Sequence, residues 1–326
     1  MGYIYNPVTG KYNEFCKKPL RMPYFTSILS KKIGSVTMFD VIIRDSAHAI
    51  AFQGVPGAHS DMACQRAHPY LQTVPCRSFE DVFDAVQSEK VAYGMIPIEN
   101  SHAGRVAEIH NLLPDSKLHI VGEYFHTVRH HLLAPKGASL ETVKQTYSHA
   151  QALMQCAKSC RDLGLSQVPY SDTAAAARDV AKWEDVSKSA LASDLAAELY
   201  GLEVLQRDMQ DADDNVTLFV TLSKEPINPD VNEGNVILTS MLFTSRNIPA
   251  GLYKALGGFA TNNVNLVKLE SYIPDYRSGE AQFFITFEGH PDNKKVQLAL
   301  EELGFFSKSV QLLGVYPADP KRLKTR

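Results

Sequence analysis

The chain has 326 residues, 44% of them hydrophobic and 21% charged, with a formal net charge of −3. That length suits about two domains, the composition is ordinary for a folded globular protein, and the charge balance excludes the basic footprint of a nucleic-acid binder. No apolar run approaches the roughly 20 residues of a membrane-spanning helix, so a cytoplasmic protein acting on a small molecule, with no nucleic acid and no membrane as partner, is expected.

Residues 1–50 hold seven Lys and Arg against three Asp and Glu, which leaves −7 for the remaining 276. The first 37 or so have no sustained period and no signal-peptide-like apolar core. Residues 1–47 are expected to be a mobile extension, with Met38 as an alternative start and a targeting role as the weaker alternative.

A short strand around Ala49–Gln53 is followed by a helix from Ser60 that ends before Pro69, and by a strand near Thr73. Ser78 opens a helix whose Phe79, Val82, Phe83 and Val86 keep helical spacing. The run VAYGMIPIENSHAGRV at 91–106 begins as a buried strand and stops abruptly at Glu99, Asn100 and Ser101. In open α/β sheets, ligands collect outside the carboxyl ends of strands, so these polar residues should face a cleft. An ordinary cap on a helix running from near Ala103 to about Leu113 is the plainer alternative. Residues 118–125 form a further strand, giving an α/β unit with mostly parallel strands.

A second alternating unit begins near Val143. Ser148 precedes a helix whose Leu153, Cys156, Cys160 and Leu163 share a face, and Gly164 stands where a C-terminal cap is expected. Asp172 caps the next helix, residues 190–200 hold another strand and helix, and Val216–Ser223 closes the unit. The polar strand ends fall into two clusters, which fits two lobes with a cleft between them. Residues 226–235 are a Pro, Asn and Gly-rich linker. Strand 236–244, helix 249–261, strands 265–273 and 281–288, helix 291–303 and strand 308–315 then read as βαββαβ. The five cysteines, Cys16, Cys64, Cys76, Cys156 and Cys160, are odd in number and scattered, so no disulfide framework is expected; they read as buried small apolar residues.

Polar residues at strand ends and helix starts are Gly57 to Ser60, Glu99 to Ser101, Ser148 with His149, Asp172 with Thr173, and Asn215 with Thr217. Free N–H groups at helix starts favour anions by about 0.3–1 kcal/mol each, and several aimed at one cleft would bind a dicarboxylate without a metal. Singly, each Ser or Thr is explained as a cap; their co-occurrence points to a site. No G-x-G-x-x-G follows a strand, and no Walker, H-E-x-x-H or paired-Cys motif occurs, so nucleotide and metal mechanisms lack support. His130 and His131 read as surface or core histidines.

FQGVPGAHS at 52–60, IPIENSHAGRV at 96–106, SHAQALMQC at 148–156, DTAAAA at 172–177 and NVTLF at 215–219 resemble prephenate dehydratase in order and spacing. PAGLYKALGGFATNNVNLVKLESY at 249–272 resembles the ACT regulatory domain that follows it in that family. The likeness covers roughly residues 48–317. It implies an α/β fold: a two-lobed, periplasmic-binding-protein-like catalytic domain at 48–225 with an interlobe cleft, then a βαββαβ ACT domain at 236–317 and a tail at 318–326. Lobe one would take 48–128 plus about 205–225, and lobe two about 129–204.

The resemblance further implies conversion of prephenate to phenylpyruvate, water and carbon dioxide, with no cofactor and no metal. Ring aromatisation drives the reaction, so the tasks left to the protein are orienting a dianion and helping hydroxide leave. Carried over by motif, Thr217 would assist the leaving hydroxyl, with Asn100, Ser148 and Thr173 as the other catalytic positions. His149, Ser60, Ser101, Ala152, Leu153 and Phe219 would line the substrate. Glu99 is better suited to a structural role, because a carboxylate repels a dianion unless protonated or paired.

The family usually reads Thr-Arg-Phe where this chain has Thr217, Leu218 and Phe219. Losing a charged hydrogen bond costs roughly 1.5–3 kcal/mol, so reduced activity is expected, and Leu218→Arg is expected to raise turnover. Arg105 is the alternative cation, or else a solvent-facing helix residue. The ACT likeness implies feedback by L-phenylalanine at a subunit interface, in a homodimer or homotetramer. Asn247, Pro249, Ala250, Gly251 and Leu252 would form one side of that pocket, and Asn265, Leu266, Glu270 and Ser271 the other. Tyr272 and Ile273 depart from the family's Arg-Pro and leave the effector open. Arogenate as substrate, or a catalytically weakened phenylalanine sensor, are the alternatives.

Overall fold

A computed structural model describes residues 3–6, 11–14, 43, 45–230, 235–273 and 280–324. The extension expected at 1–47 lies largely outside these residues, as does 231–234 of the linker. What is described near the start is an antiparallel pair, β1 (Tyr3–Asn6) and β2 (Lys11–Glu14), and a 3-10 turn, Ser46–His48.

The first lobe contains β3 (Ala49–Gln53), α1 (His59–Ala67), β4 (Gln72–Cys76), α2 (Phe79–Gln87), β5 (Tyr93–Asn100), β6 (Gly104–Arg105), α3 (Ala107–Leu112) and β7 (His119–Thr127). The second holds β8 (His131–Ala134), β9 (Gln145–His149), α4 (Ala150–Gln155), α5 (Ala157–Asp162), β10 (Ser166–Tyr170), α6 (Thr173–Trp183), β11 (Lys188–Ala192), α7 (Asp194–Tyr200) and β12 (Glu203–Gln206). The chain then returns as β13 (Val216–Ser223), which inserts between β5 and β7 of lobe one.

Both sheets are mostly parallel, as expected, with one reversed strand in each. In lobe one β3 runs parallel to β4 and β5, but β13 is antiparallel to both its neighbours. In lobe two β9 runs parallel to β10 and β11, while β8 is antiparallel to β11 and β12. The antiparallel strands β8 and β13 are those that follow a crossing between lobes, so each enters its sheet from the cleft end.

Alternate residues of the lobe-one strands feed two cores. Ala49, Ala51, Ile96, Ile98, Leu218 and Val220 pack with α2 and α3, while Ile50, Phe52, Tyr93, Met95 and Phe219 pack with Ala63 and Cys64 of α1. A strand buried on both faces loses polar alternation, which is why MIPI in β5 reads as continuous apolar sequence. In lobe two, Cys156 and Cys160 are free and buried, as expected of small apolar residues. The single helix expected after Ser148 is broken at Cys156, which leaves helical backbone geometry at φ −115°. The helix expected from near Ala103 begins only at Ala107, because a turn at 101–103 and the short strand β6 intervene.

The remaining unit is β14 (Ile237–Ser245), α8 (Gly251–Thr261), β15 (Leu266–Tyr272), β16 (Gln282–Glu288), α9 (Lys294–Phe306) and β17 (Ser307–Pro317). This is the expected βαββαβ order, with an antiparallel sheet β15-β16-β14-β17. One sheet face, with Met241, Phe243, Phe283, Ile285 and Phe287, packs on α8 and α9. The other, with Leu238, Leu242, Phe284, Leu313 and Tyr316, joins the lobe-one core. The docking is close: a Cβ at Gly314 would lie 1.9 Å from the Ile120 carbonyl oxygen. The tail adds α10 (Pro320–Lys324), and its Arg322 makes a two-pronged ion pair with Glu123 of β7 at 2.8 and 2.7 Å.

Candidate active site

The ends of β5 and β13 lie side by side with Asn100 opposite Thr217, so their side chains share one face of the sheet. The orientation of the Asn100 amide follows from its neighbours. Its Oδ1 accepts from the backbone N–H groups of His102 and Ala103 at 3.0 and 2.9 Å, which leaves Nδ2 to donate. Nδ2 donates to Thr217 Oγ1 at 2.9 Å and to Asn215 Oδ1 at 2.7 Å. Since Asn100 is the donor, the Thr217 hydroxyl accepts and keeps its own proton for the cleft.

The chain of amides continues. Asn215 Nδ2 donates to Gln155 Oε1 at 2.8 Å, and His130 Nε2 stands 3.2 Å from the same oxygen. An amide oxygen only accepts, so His130 carries its proton on Nε2. One polar network thus runs from Thr217 in lobe one, through the second crossing between lobes, to α4 of lobe two.

The network borders a cleft of about 360 Å³ between the lobes. Of the expected residues, Ser60, Asn100, His149, Ala152, Thr173, Thr217 and Phe219 line it. The helices α1 and α6 begin there, and Asp172 caps α6 by accepting from the Ala175 N–H at 2.9 Å. Three expected residues do not face the cleft. Ser148 is fully buried and its hydroxyl donates to the Leu191 carbonyl, tying β9 to β11. Leu153 packs in the lobe-two core with Cys156 and Cys160. Ser101 donates to the Asp214 carbonyl and accepts from the Val216 N–H, bracing the return strand.

Four more residues line the cleft: His59 and Asn215, expected only as members of the strand-end and helix-start groups, His130, expected at the surface or in the core, and Gln155, for which the sequence gives no signal. Burial holds His130 near 4, far below an ordinary imidazole. Burial and the surrounding imidazoles push His59 in the same direction. Among the described residues, no three His, Cys, Asp or Glu side chains are arranged to hold a metal ion, and no helix is long and apolar enough to cross a membrane.

Residues 50–227 match the family model described as prephenate dehydratase. The chain belongs to the prephenate dehydratase family. Members of that family are carbon–oxygen lyases of phenylalanine biosynthesis. The chain is 45% identical over 84% of its length to a Komagataeibacter europaeus protein described as a bifunctional N-acyl-homoserine lactone acylase/prephenate dehydratase, of which it covers 98%. It is 37% identical to arogenate dehydratase/prephenate dehydratase 2, chloroplastic, of Arabidopsis thaliana, over 98% of this chain and 86% of that protein. The structure of prephenate dehydratase from Arthrobacter aurescens in complex with L-Phe matches with a TM-score of 0.76 at 27% identity, covering 84% of this chain and 91% of that one.

The family's usual Arg is replaced at Leu218, and the strand places that position away from the cleft. Thr217 and Phe219 line the cleft, whereas Leu218 is 7% exposed and lies in the core shared with the βαββαβ unit. An arginine at 218 would therefore not reach a carboxylate in the cleft, which corrects the expected gain in turnover. Opposite Leu218 stands Glu99, and its carboxylate pairs with Lys268 of β15 at 2.6 Å, the structural role expected of it. Arg105 is neither in a helix nor deep in the cleft: it is exposed at the rim and donates to the Ser271 carbonyl at 2.8 Å.

Within one chain the expected effector residues are divided: Glu270 and Ser271 are level with Leu242 and Phe243, toward the end of β14 that leads to Asn247, and Leu266 is not. Asn247 to Leu252 follow the end of β14 that is level with Tyr272, while Leu266 is level with Thr239 near the opposite end. Asn265 donates to Glu288 at 3.1 Å. The missing side chain at Gly251 makes room for the Arg246 carbonyl, 2.6 Å from where a Cβ would sit. Glu270 is drawn inward by Lys268 and by His110 at 2.6 and 2.7 Å. Burial alone would raise its pKa; its close contacts with His110 and Lys268 outweigh burial and bring it to about 2.

Proposed function

We infer that this chain carries out the decarboxylating dehydration of prephenate to phenylpyruvate. The observation that carries it is the Asn100–Thr217 hydrogen bond, which leaves one hydroxyl proton facing the cleft. As the bond between the ring and its carboxylate breaks, its electron pair enters the ring and expels the hydroxyl across from it. That hydroxyl needs a hydrogen-bond donor as it departs, and the Thr217 hydroxyl is the proposed one. Thr173 and the first N–H groups of α6 supply donors for a carboxylate, and Phe219 offers an aromatic face to the ring.

Phenylalanine is the proposed effector, bound between two protomers. Asn247 to Leu252 of one chain and Asn265 to Ser271 of another would meet across the interface, which accounts for the distance of Leu266 from Asn247 to Leu252 within one chain. The exposed apolar residues Ile248, Tyr253 and Leu269 beside these segments suit such an interface, and the L-Phe complex of the Arthrobacter relative supports the choice of ligand. Pairing of the βαββαβ units as ACT domains would give a homodimer or a dimer of dimers.

Two neighbouring readings share this test. Arogenate differs at the side chain, and a plant relative carries both names. The acylase activity named for the Komagataeibacter relative is favoured by a second cavity of about 330 Å³ adjoining the cleft, bordered by Gln151, Gln155, Asn215 and the exposed Met154. Purified protein offered prephenate, arogenate or an N-acyl-homoserine lactone, with and without phenylalanine, separates them. Phenylpyruvate formed fastest, and less of it with phenylalanine present, is the expected result; no product from prephenate refutes the assignment.

A further inference from the structure

A cleft built for a dianion needs positive charge at depth, and its lining has little. Among the described residues that line it, Asp172 is an anion, Arg105 is held at the rim by Ser271, and no lysine is present. The floor holds imidazoles instead. His59 Nδ1 is 3.1 Å from His126 Nε2, and the rings of His59 and His130 meet edge to face with centroids 5.2 Å apart. His59 Nε2, His126 Nδ1 and His130 Nδ1 are all buried without a hydrogen-bond partner. Buried polar atoms are nearly always satisfied, so two orphans on cleft-lining rings, with a third on the adjoining His126, call for an explanation.

We propose that His59 binds a carboxylate of the substrate, taking up one proton from solvent as the dianion enters and becoming the cation that the cleft otherwise lacks. This deepens the prephenate assignment and rests on it. His59 is the first residue of α1, so the free N–H groups of that helix start beside it and favour the same anion. A protonated His59 donates through Nδ1–H to His126 Nε2, which fixes the ring. The second proton then sits on Nε2, the atom that has no partner in the protein. No other bond changes; the proton comes from solvent and returns to it when product leaves.

The groups around His59 favour its neutral form while the cleft holds no anion. His126 faces it from β7, His130 and His131 from the crossing and β8, and Arg66 lies further along its own helix. Two carboxylates are near, but both are engaged: Asp61 accepts from the Gly57 N–H and from Gln65, and Asp194 on α7 faces Arg66. Burial is the largest influence and acts in the same direction as the cations. An entering carboxylate reverses that balance, because an opposite charge within hydrogen-bonding reach favours the charged form.

The test is steady-state turnover of prephenate by the full chain between about pH 6.5 and about pH 8.5, a range spanning the usual histidine region upward. With one proton taken up on binding, KM for the unaltered protein should rise about tenfold per pH unit, with kcat moving much less. His59→Gln should raise KM about ten- to hundredfold at the acid end, the loss of a charged hydrogen bond, and should flatten its pH dependence. Turnover in which His59→Gln keeps the full slope overturns the proposal alone. Failure of the unaltered protein to convert prephenate removes the assignment and the proposal with it. Should the variant not fold by circular dichroism, the unaltered protein decides: a saturated-ring analogue of prephenate that keeps both carboxylates and cannot aromatise is titrated calorimetrically in buffers of different ionisation enthalpy. Uptake of about one proton supports the proposal and no uptake refutes it.

Discussion

Lys268 reaches from β15 to the carboxylate of Glu99 at 2.6 Å, one residue along the chain from Asn100. The same ammonium bonds Glu270 at 2.6 Å, and the Lys268 side chain is only 8% exposed. The βαββαβ unit therefore grips β5 from the face opposite the cleft, at the point where that strand presents Asn100. A change in the unit has a direct route to the residue that orients Thr217.

Lys268→Met should cost about 2–3 kcal/mol, less than the 3–5 of a fully buried pair because Glu99 is 45% exposed. The penalty comes from leaving Glu270 buried against Glu99 with no cation between them. The pH dependence has a definite sign. Glu270 titrates near 2 when folded, below its usual value of 4.5. Its stabilisation is thus complete above about pH 4.5 and is lost as pH falls toward 2. The amount is on the order of 3 kcal/mol. Chemical denaturation of Glu270→Gln against the unaltered protein, at neutral pH and near pH 3, should show the gap between them closing in acid; an unchanged gap would place Glu270's stabilisation elsewhere.

Leu218→Arg should not raise turnover, and it should lower the melting temperature. The new guanidinium would enter a buried face beside Lys268, with Glu99 the nearest carboxylate and already paired. Adding Lys268→Met to it should recover part of the loss, because the arginine then inherits Glu99. In that view an arginine at 218 and Lys268 would compete for one carboxylate. Thermal melts of the two single variants and the double variant measure the coupling; strictly additive effects would show that the two positions do not share Glu99.

Much of this was legible in the sequence, for identifiable reasons. The cleft wall at Asn100 and Thr217 showed because an apolar strand ends in polar residues, and the caps Ser78 and Asp172 perform as read, each accepting a backbone N–H three residues on. The short strands β8 and β12 escaped notice, since four residues hold too little pattern to separate strand from loop. Ser148 and Leu153 were assigned to the cleft because a motif names a segment without saying which way each side chain points. Strand alternation could have turned Leu218 away, given that Thr217 and Phe219 were both set in the cleft. Nothing in the spacing marks His59, His126 and His130 as neighbours, because 67 residues separate the first two and the contacts exist only once the chain has folded.

Gly314 is the position where the docking of the βαββαβ unit can be tested. A Cβ there would lie 1.9 Å from the Ile120 oxygen and 2.8 Å from its carbonyl carbon, and neither backbone atom can move aside as a side-chain tip could. Gly314→Ala should therefore push β17 off β7 and cost at least about 3 kcal/mol, toward the large end for single substitutions. Calorimetry should show a lowered melting temperature, with the unit unfolding ahead of the lobes. A variant as stable as the parent would mean that the two strands are not in this contact.

Asn100→Asp isolates the hydroxyl proton of Thr217. A carboxylate at 100 can still accept from the N–H groups of His102 and Ala103, so the turn after β5 keeps its partners. It can no longer donate to Thr217 Oγ1, and instead draws the Thr217 proton toward itself and out of the cleft. The added negative charge also opposes a dianion. If that proton assists departure of the hydroxyl, kcat should fall by about 10²–10⁴, the usual contribution of a positioned acid. Thr217→Ser, which keeps the hydroxyl, should stay within roughly tenfold of the parent, since only a methyl group's packing is lost. Thr217→Val should match Asn100→Asp. Rapid turnover by Thr217→Val would remove Thr217 from the chemistry and leave Asn100 as a contact to substrate only.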